Sequence, residues 1–131
     1  MKISLTSRSL CVNINPYRMT DCIFCKIAQG AIPAQFVHQD DTVVAFRDLH
    51  PQAPVHVLVV PRQHIAGLTE PAAADPKVLA AVYRAIQGLV EPLGLAKGFR
   101  VVVNCGPEGG QTVGHLHFHL LGGRSMGWPP G

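Results

Sequence analysis

The chain has 131 residues, 47% of them hydrophobic and 15% charged, which suits one domain with its own core and excludes a disordered chain. No apolar run approaches the roughly 18 residues of a membrane-spanning helix. The net charge of +3 does not mark a nucleic-acid surface, because Lys2, Arg8 and Arg18 account for it and the remaining eight basic residues balance eight acidic ones.

Residues 1–18 carry no acid and no unbroken apolar stretch of signal-peptide type; they are expected to be a mobile extension ahead of a domain over residues 19–131. Thr20 or Asp21 is placed to cap a short helix over residues 22–28, which Gly30 stops. Apolar, β-branched runs at 35–38, 42–47 and 56–60 predict strands, the first two joined at Asp40-Asp41 as a hairpin. Two prolines make residues 49–54 a loop. Asp75-Pro76 opens a helix, since proline tolerates the first helical position and aspartate accepts from free backbone N–H groups. Val78, Leu79, Val82, Ile86, Leu89, Val90 and Leu93 then recur at three- and four-residue spacing, predicting one long amphipathic helix that ends around residues 92–94. Residues 99–104 and 115–121 predict two more strands, flanking a glycine-rich loop, Gly106-Pro107-Glu108-Gly109-Gly110. Closely spaced strands with a single long helix favour an antiparallel α+β fold over a doubly wound parallel sheet.

The most informative stretch is His115-Leu116-His117-Phe118-His119-Leu120. In a strand, Leu116, Phe118 and Leu120 face the core and three histidines line the other face. Neighbouring histidines on a straight strand stand about 6–7 Å apart and the outer two about 13 Å, so one ion does not readily take all three and they divide their tasks. Ahead of them, Gly109-Gly110-Gln111-Thr112 offers backbone N–H groups and side chains that suit a phosphate. Asn104 stands at the mouth of the same loop, and His56 interrupts an otherwise apolar strand. Cys22-Ile23-Phe24-Cys25 has zinc-ligand spacing, with two further ligands to come from His38, His50, His64 or a strand histidine; two inert buried thiols are the alternative. The four cysteines, completed by Cys11 and Cys105, form no regular disulfide framework, which points to a reducing, cytoplasmic setting.

The strand His115-Leu116-His117-Phe118-His119-Leu120-Leu121, preceded by Gly110-Gln111-Thr112-Val113, resembles the signature of the histidine triad nucleotide hydrolases and transferases. Leu49-His50-Pro51-Gln52-Ala53-Pro54-Val55-His56, Val60-Pro61-Arg62-Gln63-His64-Ile65 and the ending from Leu121-Gly122-Gly123-Arg124 to Trp128-Pro129-Pro130-Gly131 resemble its Hint branch. The resemblance spans residues 21–131; Gly114 departs from the aromatic residue frequent just before the triad. It implies a five-stranded, mainly antiparallel sheet with one long helix and a short N-terminal helix, continued across a homodimer. It implies hydrolysis of purine nucleoside phosphoramidates, adenosine above all, to a nucleoside monophosphate and an amine. His117 would attack the α-phosphorus as a neutral imidazole and form a nucleotidyl-histidine, itself a P–N bond like the substrate's. His119 or His56 would protonate the leaving amine, and His119, Gly110, Gln111, Thr112 and loop N–H groups would stabilise phosphate charge. Asn104 would hold the leaving-group side, Asp48 would accept from ribose hydroxyls, and Leu49 would pack on the base. Zinc-containing bacterial relatives imply one structural zinc on Cys22, Cys25, His64 and His115, a closed S₂N₂ set that suits the metal. No organic cofactor, nucleic acid or membrane is expected. The competing readings are a diadenosine-polyphosphate hydrolase, against which the Trp-Pro-Pro-Gly ending speaks, a zinc-bearing nucleotide-binding or scaffold protein with little turnover, and a catalytic-zinc hydrolase using all three triad histidines.

Overall fold

The computed structural model describes residues 21–131; the extension expected over residues 1–18, and Thr20 as a helix cap, lie outside them. The short helix α1 (Ile23–Ala28) is capped by Cys22, whose Sγ accepts the Cys25 backbone N–H at 3.4 Å, rather than by Asp21. Strands β1 (Phe36–Gln39) and β2 (Val43–Arg47) form the expected hairpin. Its turn is held by one carboxylate oxygen of Asp40, which accepts from Thr42 N–H at 2.7 Å and Val43 N–H at 2.8 Å. Strand β3 (Val55–Pro61) follows the proline loop. After a 3₁₀ turn at Pro71–Ala74, Asp75 caps α2 (Pro76–Leu89) by accepting from Lys77 N–H at 2.9 Å. The helix stops short of residues 92–94; separate hydrogen-bonded turns carry the chain to Gly94, whose φ of +70° the left-handed region allows at little cost.

With β4 (Phe99–Val102) and β5 (Phe118–Gly122) the sheet runs β1-β2-β3-β5-β4, each neighbouring pair antiparallel. This is the α+β architecture expected, an open five-stranded sheet with one long helix. Alternation along the strands gives it two buried faces. Val43, Ala45, Val57, Val59, Phe118 and Leu120 pack with Val82, Ile86 and Leu89 of α2. Val44, Phe46, Leu58 and Val60 point the other way and pack with Phe24 and Ile27 of α1. Arg62 locks α1 in place, donating from Nε to the Asp40 carbonyl at 2.7 Å and from Nη1 to the Ala28 carbonyl at 2.8 Å. Among the described residues no helix is long and apolar enough to cross a membrane.

One strand differs from the sequence-based expectation. β5 begins at Phe118, opposite Val59, and not at His115. The reason lies in the backbone groups of the preceding residues, which bond outside the ladder. Leu116 N–H donates to the Ile65 carbonyl at 2.6 Å, and the His115 carbonyl accepts from the His117 ring at 2.7 Å. His119 alone of the three histidines lies in the sheet.

Candidate functional site

His119, on β5, lies opposite Leu58 of β3, on the α1 side of the sheet. His56, on the same side of β3, reaches it, Nε2 to Nδ1, at 2.9 Å. His117 sits beside both α1 and His119: its ring is 5.1 Å from that of Phe24, edge to face, and 5.0 Å from that of His119. His56 and His117 are each 5% exposed, so their ring nitrogens find their partners within the protein rather than in water.

The hydrogen-bond network assigns the proton on every ring. The His117 Nδ1 faces the His115 carbonyl, which can only accept; Nδ1 therefore carries a hydrogen, and in the neutral ring Nε2 keeps its lone pair. His56 Nδ1 accepts the backbone N–H of Gln52 at 3.0 Å, so its hydrogen is on Nε2 and is given to His119 Nδ1, with an Asp48 carboxylate oxygen 3.4 Å away. His119 is left with its hydrogen on Nε2. That atom is buried and has no hydrogen-bond partner among the described residues. Burial lowers the pKa of His56, partly opposed by Asp48, and lowers that of His119 to about 4, the nearby His117 and His56 adding to the effect. Both are neutral at physiological pH, as their partners require. A nucleophilic ring nitrogen and an unsatisfied N–H donor thus stand on adjacent rings.

These two rings line a cavity of about 380 Å³ with Asp48, Leu49 and Thr112. Its opposite walls are apolar, from Phe24, Ile27 and Phe46. The sequence-based reading treated these three only as helix and strand residues; an aromatic placed between two cysteines gave no signal of a cavity wall. Leu49 is 88% exposed at the rim, a large apolar side chain without cover. Asp48 gives one carboxylate oxygen to the His50 N–H at 2.8 Å, which fixes the other toward His56. His56, Asn104, Gly110 and Gln111 are not among the described residues that line the cavity. The Gln111 side chain accepts from Gly106 N–H at 3.0 Å and donates to the carbonyls of Ala66 at 2.8 Å and Val113 at 3.0 Å, so it braces the glycine loop. Gly110 has φ +85°, and a Cβ on Gly109 would collide with the Cys105 carbonyl oxygen; the loop needs glycine at both positions. Gln52, overlooked from sequence because it acts through its backbone, fixes the His56 tautomer.

On the other side of His117 stands a second cluster. Cys22, Cys25, His64 and His115 bring four ligand atoms within 4.8 Å of one another. His115 Nδ1 lies 3.2 Å from Cys22 Sγ and 3.4 Å from Cys25 Sγ, and His64 Nδ1 lies 3.3 Å from Cys25 Sγ. Zinc bonds of about 2.3 Å to sulfur and about 2.0–2.1 Å to nitrogen, at tetrahedral angles, would separate such ligands by about 3.5 Å. The donor set fits. His115 Nε2–H donates to the Pro61 carbonyl at 2.8 Å, which turns the Nδ1 lone pair toward the sulfurs. Burial holds the His115 pKa down to about 4, so the ring is neutral and able to ligate, whereas burial and the neighbouring Cys22 push the Cys25 thiol up to about 12. Without a cation Cys25 holds its thiol proton tightly; a divalent ion is the group that would compensate two sulfur charges here. His38 and His50 take no part in it; His38 instead pairs with Asp40 at 2.7 Å.

The sequence profile of the HIT domain matches residues 29–126. Adenylylsulfatase HINT1 of Arabidopsis thaliana is 45% identical over 111 residues, covering 83% of this chain and 76% of its own. The 14 kDa zinc-binding protein of Brassica juncea is 44% identical over 113 residues, covering 85% of this chain and 100% of its own. The crystal structure of a HIT family hydrolase from Legionella pneumophila superposes with a TM-score of 0.81 at 48% identity, over 85% of this chain and 100% of that one. With three histidines converging on one sheet face, and with the family profile spanning most of the chain, the protein belongs to the HIT domain family.

Proposed function

We propose that the protein hydrolyses purine nucleoside phosphoramidates, adenosine's above all, to the nucleoside monophosphate and an amine. The observation that carries this is the pairing of a His117 Nε2 lone pair with an unpartnered His119 Nε2–H on the next ring. His117 Nε2 attacks the α-phosphorus, the P–N bond to the amine breaks, and a nucleotidyl-histidine forms. The amine leaves carrying a proton taken up from solvent, its nitrogen accepting the hydrogen bond of the neutral His119 Nε2–H, a ring that His56 holds in place. Water then attacks phosphorus and loses a proton to solvent, the P–Nε2 bond breaks, and His117 returns to its starting state. The apolar walls at Phe24 and Phe46 suit a purine, Leu49 would cover it, and Asp48 would accept from ribose hydroxyls. Thr112 and the loop N–H groups would meet the phosphate, Gly110 and Gln111 shaping that loop, and Asn104 would hold the leaving-group side.

A second substrate is favoured by the Arabidopsis relative, named for adenylylsulfatase activity. Adenylyl sulfate needs the same attack on the α-phosphorus, but its sulfate leaves as a dianion and requires no proton. The deciding experiment offers both substrates to the protein and traps the covalent adduct by mass spectrometry. Adenylylation of the peptide bearing His117, with adenosine monophosphate released, is the expected result. No adduct and no release from either substrate would overturn the reading.

One structural zinc on Cys22, Cys25, His64 and His115 completes the proposal, supported by the S₂N₂ donor set and by the Brassica relative's description as zinc-binding. Bound there, it would crosslink α1, the turn after β3 and the triad, leaving substrate no open position. A homodimer through β4 and α2 is supported by Phe99, Val101 and Tyr83, which stay exposed along the open sheet edge and the helix. It would bring Trp128, 82% exposed, near a partner's cavity. Sedimentation as a monomer at micromolar concentration would reject this. A cytoplasmic setting accords with the free thiols of Cys22, Cys25 and Cys105.

A further inference from the structure

We infer that the cysteine–histidine cluster is a positioning device for the nucleophile, acting through one peptide group. That group is the amide between His115 and Leu116. Its N–H donates to the Ile65 carbonyl at 2.6 Å, and its C=O accepts the His117 Nδ1–H at 2.7 Å. The amide therefore links three groups in line, Ile65 carbonyl, peptide and imidazole, and each bond polarises the next. Both ends of this line are tied to the cluster. Ile65 follows His64, and the peptide's own carbonyl belongs to His115.

No sheet ladder is available to do this work, because the last β3–β5 pair is Val59 with Phe118. Residues 115–117 are held by the Pro61, Ile65 and cluster contacts instead. A peptide without a ladder can rotate; turning this one by a few tens of degrees removes the acceptor from His117 Nδ1. Without it, neutral imidazole redistributes its hydrogen between the two nitrogens, and the Nε2 lone pair is no longer assured. Cys22 and Cys25, drawn together with His64 and His115, oppose that rotation. Their contribution to turnover is thus exerted on the tautomer of His117 and not on substrate.

The kinetic half of this inference rests on His117 as nucleophile; the tautomer half does not. The test uses the full chain with uniformly ¹⁵N-labelled histidine, loaded with one zinc per chain and then stripped by a chelator. Long-range imidazole ¹H–¹⁵N spectra are recorded in both states. With zinc, His117 is expected as a single Nδ1–H tautomer. Stripped, it is expected as a mixture, with kcat lower by roughly tenfold and KM within about twofold, while His56 and His119 keep the tautomers fixed by Gln52. An unchanged His117 tautomer in a stripped, folded chain overturns the inference, as does a chain that binds no zinc. Should stripping unfold the protein, Cys22→Ser is read in the same way. It retains an oxygen to cap α1 and three ligands, and a folded variant with a pure Nδ1–H tautomer overturns the inference equally. A tautomer mixture in the stripped chain with activity unchanged would count against His117 as the nucleophile and leave the tautomer half standing on its own.

Discussion

His115 and His117 are two residues apart, both buried, and each gives one ring hydrogen to a backbone carbonyl, yet their chemistry is opposite. His115 donates from Nε2, to Pro61, and shows its Nδ1 lone pair to two sulfurs. His117 donates from Nδ1, to His115, and keeps Nε2 for another partner. The first region is closed, with every ligand atom turned inward. The second is left with one lone pair and one N–H unsatisfied beside a cavity. The difference teaches that residue type does not decide whether a histidine turns a lone pair toward two thiols or toward a cavity. The choice lies in which nitrogen the backbone occupies.

The strongest way to break this contrast is to remove the open side. His117→Ala is expected to lower kcat by roughly three to six orders of magnitude on either substrate, with the fold kept because both apolar faces of the sheet are untouched. Near-normal turnover in that variant would show that the two histidines do not differ in the way described.

Next comes the donor on the neighbouring ring. His119→Ala is expected to slow phosphoramidate hydrolysis by about 10²–10⁴-fold and adenylyl sulfate hydrolysis far less, since only the amine must be protonated. Equal losses on the two substrates would assign His119 to charge stabilisation on phosphorus instead.

The closed side is probed by its stability. At zinc a hundredfold above its dissociation constant, binding to the folded state alone raises Tm by on the order of 10 °C, and Cys25→Ser is expected to abolish that rise. Calorimetry with and without a chelator checks it; equal melting of variant and parent in zinc would remove Cys25 from the set.

The smallest expected effect is on pH dependence. The His119 pKa falls from an ordinary 6.5 to about 4 on folding, burial being the main cause. The folded state therefore binds fewer protons than the unfolded one between these values. His119 costs no stability above pH 6.5, stability is lost as the pH falls toward 4, and the loss levels off below that. Urea midpoints measured over this range should show a shallower slope for His119→Gln than for the parent. Parallel curves would mean that His119 is not held neutral by its surroundings.

Much of this was legible without coordinates. The Asp40 turn, the Asp75 cap with Pro76 and the apolar stripe of α2 follow from contacts within a few residues, and the five strands from local runs of apolar and β-branched residues, which the sequence lays out directly. The spacing of Cys22 and Cys25 offered a ligand pair and left two inert buried thiols as the alternative. The histidine stretch was legible as a site but not as a structure. Alternation predicts three imidazoles on one strand face, and it fails at His115 and His117 because their segment bonds to Ile65 and to itself, not to the sheet.

Tertiary structure decided which histidine does what. His115 is oriented by Pro61, 54 residues earlier, and faces cysteines 90 and 93 residues away; His119 receives its hydrogen bond from His56 across 63 residues. Periodicity assigns a side chain to a face of the sheet and carries no information about which ring nitrogen holds the proton. The amino-acid sequence determined that a row of histidines beside a cysteine pair would be built on an antiparallel sheet. One distant carbonyl, of Pro61, and two backbone groups close in sequence, the His115 carbonyl and the Gln52 N–H, fixed the tautomers once the fold had set their orientation, because a neutral imidazole has two nearly equivalent forms and takes the one its neighbours can bond.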